Sequence, residues 1–275
     1  MIDVTGPNLQ GDAHLVRNDE RTILIDGGPY ETAHDKLLPF LNRNSIRKID
    51  TVLITHPHFD HMGGILAVLE DATFAIGEIY FHTISRERCA SEPWGCRWGQ
   101  VTRLKELAAS KSIPIRSYTN FSGIDFGSAK LLKIVAFDEG ECPVECDIND
   151  ESLIARLDVY GHRVLFTGDL NHNLGEWLLH NRVGDIRAEF LKVPHHGSEK
   201  TASNQFIGAV GARYAFVPTP TAFWCWDRAK RVRSFLTETE AEVYVSEPNG
   251  DVLTTFKPDG TFSIEPRRRS TIACR

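Results

Sequence analysis

Residues Thr55 to Gly64 read T-H-P-H-F-D-H-M-G-G, and the reading of the whole chain turns on them. His56 and His58 alternate with Pro57, so on extended chain both imidazoles can point to the same side. Asp60 and His61 follow at the turn into a helix. Imidazole nitrogens and carboxylate oxygens are the usual ligands of zinc and similar divalent ions. Gly63 and Gly64 let the backbone turn tightly behind them. A polar loop with unrelated histidines is the plain alternative; the convergence of ligand types and spacing on one purpose weighs against it.

Outward from this stretch the pattern is that of short strands and helices. Thr51–Ile54 reads as a buried strand feeding the histidines, and Ile65–Leu69 as the helix that follows. Upstream, Ala13–Arg17 and Thr22–Ile25 make a hairpin signal. Gly27, Gly28 and Pro29 break it, and Glu31–Leu41 has helical spacing. Downstream, Glu78–His82 is strand-like, Ser85–Gln100 a loop or lid, and Val101–Ala109 a helix. Asp138–Asp150 reads as an acidic loop. Strands then alternate with helices as far as a last hairpin about Pro258, Asp259 and Gly260. Periodicity by itself supports an α/β fold.

The 275 residues carry a formal net charge of -6, which argues mildly against a general nucleic-acid binder. Arg228, Lys230, Arg231 and Arg233, and the run Arg267, Arg268 and Arg269, read as solvated surface. No segment is apolar enough to span a membrane, and no signal peptide is recognisable at Met1–Leu15, so a cytoplasmic chain is expected. In that compartment the six cysteines are expected as free thiols. The alternative is a structural zinc on Cys89, Cys96, Cys142 and Cys146.

Further motifs join the first. Ile23–Gly28 reads I-L-I-D-G-G, Thr167–Asp169 reads T-G-D, and Pro194–Ser198 reads P-H-H-G-S. In that order, with H-x-H-x-D-H, they resemble the metallo-β-lactamase superfamily. With Gly11 and Asp12, and N-x-x-S at Asn149–Ser152, the chain is most similar to the hydrolase domain of ComEC/Rec2-type competence proteins, which resemble nucleases. The resemblance implies a four-layer αββα sandwich of two mixed sheets, as one domain over residues 1–275.

It also implies a set of ligands for two divalent ions. His56 and His58 would hold one ion, Asp60 and His61 the second, and Asp169 would bridge them. His195 would complete the second site, or His196 in its place. Asp26 would hold a ligand imidazole in its tautomer. The superfamily's further histidine before the bridging aspartate is missing; Asp147–Ser152 reads D-I-N-D-E-S. Asn149 or Asp150 would supply oxygen there, which shifts preference from zinc towards manganese. The competence-type Gly-His-Pro segment is also missing near Trp224, Cys225 and Trp226.

Two ions sharing a water generate a hydroxide at neutral pH, so hydrolysis is the reaction expected. Asp60 and His196 are the candidate catalytic residues, His196 as proton donor to the leaving group. Ser198, Lys200 and Thr201 form a candidate phosphate cradle ahead of a helix. Trp94, Trp98, Trp224 and Trp226 could stack on bases, although large aromatics more often pack in cores. A phosphodiesterase or nuclease acting on an anionic substrate is the leading expectation. A hydrolase of a lactone or thioester, and a non-catalytic metal-binding module, are the alternatives.

Overall fold

The computed structural model describes residues 1–270 together with Ile272 and Cys274. Alternation along the strands decides which way each layer faces. Ile23, Ile25 and Leu53 point into a core shared with Leu157, Val164, Phe166, Phe190 and Phe216. Their neighbours Leu24, Val52 and Ile54 point the other way, onto Ile65, Leu66, Val101 and Leu104. This period of two makes each strand a two-sided element, buried on both faces.

The strands form two mixed sheets and a hairpin. The first sheet has the order β1 (His14–Arg17), β2 (Thr22–Ile25), β3 (Lys48–Ile54), β4 (Ala75–Phe81) and β5 (Ile115–Arg116). Only β1 runs antiparallel to its neighbour. The second contains β6 (Gly123–Asp125), β7 (Ala129–Val135), β8 (Ile154–Val159), β9 (His162–Phe166), β10 (Phe190–Lys192), β11 (Tyr214–Val217) and β12 (Glu242–Val245), in that order across the sheet. Strands β6 to β9 are antiparallel, and β9 to β12 parallel. Strands β13 (Val252–Phe256) and β14 (Phe262–Pro266) form the hairpin.

Parallel neighbours need crossover connections, and helices supply them. Phe59–Glu70 and Trp98–Ser110 cross on the outer face of the first sheet. His172–Asn181, Asn204–Val210 and Lys230–Glu238 cross on the outer face of the second. Helices, sheet, sheet, helices: this is the four-layer α/β sandwich. Strands β2, β3, β9 and β10 all release their loops at their carboxyl ends, the end at which open α/β sheets bind ligands.

Several local expectations need correction. The helix expected over residues 31–41 is two, Tyr30–Ala33 and Leu37–Arg43. Pro39 is tolerated because it falls in the first turn of the second, where no intrahelical donor is needed. The helix expected at Ile65–Leu69 starts already at Phe59. The stretch Ser85–Gln100 is not all loop: Arg86–Ala90 is helical, with Ser85 Oγ accepting from the Arg88 amide. Strand β6 carried no usable pattern.

The larger correction concerns the cysteines. All six are paired, as Cys89–Cys96, Cys142–Cys146 and Cys225–Cys274. Their Cα–Cα separations of 5.2, 6.2 and 5.0 Å fall within the range a bridge requires. Paired sulfurs are not thiolates, so neither free thiols nor a four-cysteine zinc site is present. Bridges persist in oxidising compartments and are rare in the cytosol. They take away the footing of the cytoplasmic expectation. No helix among the described residues is long and apolar enough to cross a membrane.

Candidate metal centre

Strand β3 ends at Ile54 and delivers Thr55 and His56 to the rim. His58 then caps the helix Phe59–Glu70, whose first turn presents Asp60 and His61. From β9 comes Thr167-Gly168-Asp169, and from β10 Pro194-His195-His196-Gly197. The last turn is unusual: His195, His196 and Gly197 have φ of 45°, 52° and 77°. Left-handed backbone at two consecutive histidines is costly and persists where the surroundings enforce it. Gly197 must be glycine for a second reason, because a Cβ there would sit 2.8 Å from Trp224 Cζ3.

Four buried side chains converge. His61 Nε2 is 3.2 Å from Asp169 Oδ1, and His196 Nε2 is 3.2 Å from Asp169 Oδ2 and 3.3 Å from Asp60 Oδ2. Donors each about 2.1 Å from one ion sit roughly 3–3.4 Å apart, so these spacings suit an ion between them. The Nε2 atoms of His56, His61 and His196 are buried without a well-formed hydrogen bond. Their Nδ1 atoms are occupied. His61 Nδ1 meets Asp26 Oδ2 at 2.8 Å, and His196 Nδ1 meets the Pro218 carbonyl at 2.9 Å. His56 Nδ1 lies 3.2 Å from Thr55 Oγ1 and 3.3 Å from Ser152 Oγ. Each ring thus turns Nε2 inward as the free donor, the arrangement that metal-binding histidines show. The donor set fits a divalent ion.

Not every expected residue joins. Among the described residues, the donors gathered within 4.8 Å of one another are Asp60, His61, Asp169 and His196, and separately Asp12, Asp26 and His61. His56 stands beside the first group, its ring 4.1 Å from that of His61, and the His58 ring is 4.6 Å from His56. His195 lies outside: its Nε2 is 3.9 Å from Asp169 Oδ2, and its Nδ1 bonds Asn171 Oδ1 at 2.7 Å. Asn149 Oδ1 is buried without a partner, whereas Asp150 Oδ1 accepts from the Asn171 amide. In the expected phosphate cradle the Thr201 hydroxyl donates to the Leu170 carbonyl, and Ser203 caps the following helix. Ser198 is buried; Lys200 lines the open cleft. Trp224 is core, while Trp94 is 71% exposed at the cleft.

Lys192 and Glu92 escaped the sequence reading, and Asp12 entered it only as part of a motif, without a role. Asp12 Oδ2 pairs with Lys192 Nζ at 2.5 Å, and Asp12 Oδ1 lies 3.2 Å from His196 Nδ1. Lys192 is 1% exposed and also reaches Asp169 Oδ1 at 3.3 Å. Glu92 faces His58. A lysine at the end of a buried strand was the available signal for Lys192; nothing marked Glu92.

The electrostatics follow from this packing. Burial pushes the Asp169 carboxyl up, but His196, His61 and Lys192 outweigh it and hold it well below the usual range. Burial lowers His61, yet Asp169, Asp26 and Asp12 raise it to about 10. His196 is likewise raised, by Asp169 and Asp12 against burial. The surrounding carboxylates thus favour positive charge on these two buried imidazoles. Bound ions would displace those protons.

The cleft beside the centre holds about 1160 Å³. Glu92, Glu145, Asp147, Asp150, Glu176 and Glu199 line it, against Arg88, Lys200 and Arg231. Arg231 is tied down by the Asn204 side chain and by the Thr201 and Ala202 carbonyls.

This fold, with this motif order around a buried histidine–aspartate centre, defines a metal-dependent hydrolase, and residues 6–132 match the family model described as the metallo-beta-lactamase superfamily. Over that stretch the chain matches a metallo-beta-lactamase domain, and the chain is similar to the competence proteins. It is 27% identical over 208 residues to Competence protein ComA of Neisseria gonorrhoeae, covering 75% of this chain and 25% of that one. It is 24% identical over 290 residues to ComE operon protein 3 of Bacillus subtilis, covering 97% of this chain and 34% of that one. It is 23% identical over 202 residues to Endoribonuclease YSH1 of Saccharomyces cerevisiae, covering 68% and 25%. The chain therefore spans a quarter to a third of the length of these relatives.

Proposed function

We propose that this protein is a phosphodiesterase acting on nucleic acid, with two divalent ions, manganese or zinc, held by its histidine–aspartate centre. The observation that carries the reading is the convergence of Asp60, His61, Asp169 and His196 beside His56, whose Nε2 is free. Asp60, His61, Asp169 and His196 would hold one ion. His56, His58 and the oxygen of Asn149 would hold the other, with Asp169 between. His196 takes the ligand role in this reading, which leaves His195, partly exposed and bonded to Asn171 Oδ1, to contact the leaving oxygen. When bound, the ions supply an activated water and neutralise charge on the attacked phosphoryl oxygen. Asp26 fixes the imidazole of His61, and the Pro218 carbonyl that of His196, with Asp12 beside it. Lys200 and Trp94 meet the substrate in the cleft. The similarity to a protein named as an endoribonuclease favours the nucleic-acid substrate over other phosphodiesters.

A second reading has an observation of its own. The six carboxylates of the cleft against three basic side chains favour a less anionic substrate, such as a lactone or thioester. Cleavage of single- and double-stranded DNA and of RNA with manganese or zinc, wild type against Asp60→Ala, separates the two. Metal-dependent cleavage that falls with salt and is lost in the variant supports the nuclease. Salt-independent hydrolysis of a neutral ester, with nucleic acid untouched by metal-loaded protein, would replace it by the second reading.

A further inference from the structure

We infer that Glu92 is a positioning carboxylate for His58, fixing which of that ring's nitrogens meets the ion, and that the Cys89–Cys96 bridge holds it there. The inference rests on the two-ion reading above. Three imidazoles of the centre offer Nε2 and have Nδ1 occupied. His58 differs in what its Nε2 faces: this atom lies 3.2 Å from Glu92 Oε2, a carboxylate outside the Asp60–His61–Asp169–His196 group, and both atoms are buried without a formed hydrogen bond. An N–H on Nε2 directed at this carboxylate leaves Nδ1 as the lone-pair donor. The other oxygen of Glu92 accepts from the Ile148 amide at 2.7 Å, which anchors the carboxylate and leaves Oε2 facing the His58 ring.

The segment that carries Glu92 is fastened to His58 in several ways. The Cys96 amide donates to the Glu92 carbonyl, and the Phe59 amide to the Gly95 carbonyl. Cys96 makes a β-bridge to His58 itself. A Cβ on Gly95 would lie 2.6 Å from His58 Nε2, so glycine alone lets the segment close on the ring. The disulfide spans these contacts, between the helix Arg86–Ala90 and the β-bridge. With its expected third histidine missing, the first ion has few protein ligands, and the aim of each one counts for more.

The test is calorimetric titration of the metal-free full chain with manganese, together with imidazole nitrogen-15 spectra that report the His58 tautomer. The step belonging to the first ion is identified as the one that His56→Ala removes. Glu92→Leu is expected to weaken that step by about 10–100-fold, leave the other unchanged and shift His58 out of its Nε2–H tautomer. Glu92→Gln, whose amide oxygen still accepts, restores part of both effects and keeps the test valid should the leucine variant fold poorly. Cys89→Ser with Cys96→Ser weakens the same step. Two unchanged steps and an unchanged tautomer in Glu92→Leu and Glu92→Gln would overturn the inference and leave the two-ion reading standing. A wild type that takes up no ion overturns both.

Discussion

Replacing Lys192 by methionine should destabilise the metal-free protein more than any surface change, and metal should reverse much of the loss. Lys192 Nζ is buried between Asp12 Oδ2 at 2.5 Å and Asp169 Oδ1 at 3.3 Å, and it donates to the Gly168 carbonyl as well. Burial pushes its pKa down, but Asp12 and Asp169 outweigh that and raise it, so the amine stays charged. Methionine keeps the length and removes the charge, leaving two buried carboxylates short of a counter-ion. Breaking a buried pair in this way costs about 3–5 kcal/mol. At roughly 2–4 °C per kcal/mol for a chain of this size, the melting temperature falls by about 6–20 °C. Divalent ions restore positive charge beside Asp169, so the gap should narrow at saturating manganese. Adding Asp12→Asn removes one stranded carboxylate, and the double variant should recover at least about 1 kcal/mol relative to the sum of the singles. Urea unfolding with and without manganese measures each quantity. A metal-free loss under about 1 kcal/mol, or strict additivity, would refute the account of Lys192 as the fixed counter-charge of the centre.

Gly197→Ala meets both a left-handed backbone and the Trp224 ring, and should cost about 2–4 kcal/mol; a change within about 0.5 kcal/mol in denaturant midpoint analysis counts against the packing argument. Asp26→Ala strands the Thr55 amide and frees the His61 ring, so metal affinity should drop about 10–100-fold, read by titration. Unchanged affinity would mean that Asp26 only shapes the turn. His162 loses proton affinity by burial but gains more from Glu189 and the Gly260 carbonyl, so its pKa is raised above 6.5. The stability it lends is therefore full below about pH 6.5 and fades as pH rises through the folded value. An NMR titration giving a value at or below 6.5 would remove this contribution.

The layers were legible because the strands are buried on both faces: Thr22–Ile25 and Tyr214–Val217 are continuous apolar runs between turn signals. The β6 strand was not, since Gly-Ile-Asp has no period to detect. The histidine cluster was legible because its residues are neighbours in sequence. The choice between His195 and His196 was not, because it depends on two left-handed residues that only tertiary packing sets. Asp12 and Lys192 are single charges far apart in sequence that only the fold makes partners, and Glu92 is likewise brought to His58. The bridges were misread because the compartment was inferred before the geometry, and geometry pairs the sulfurs.

If the protein is a two-ion nuclease, as proposed, the balance of charge in the cleft also implies an order of events. Before any ion arrives, a nucleic-acid strand would approach six carboxylates lining the walls, with Asp60 and Asp169 in the centre beside them. About four positive charges delivered by two ions reverse that local field. Catalysis would then run by compulsory addition, ions first and strand second. Initial rates should show strand and ion binding in that sequence, with the free protein showing little grip on the strand. Random-order kinetics would mean that the walls, for all their acids, are not what the strand feels.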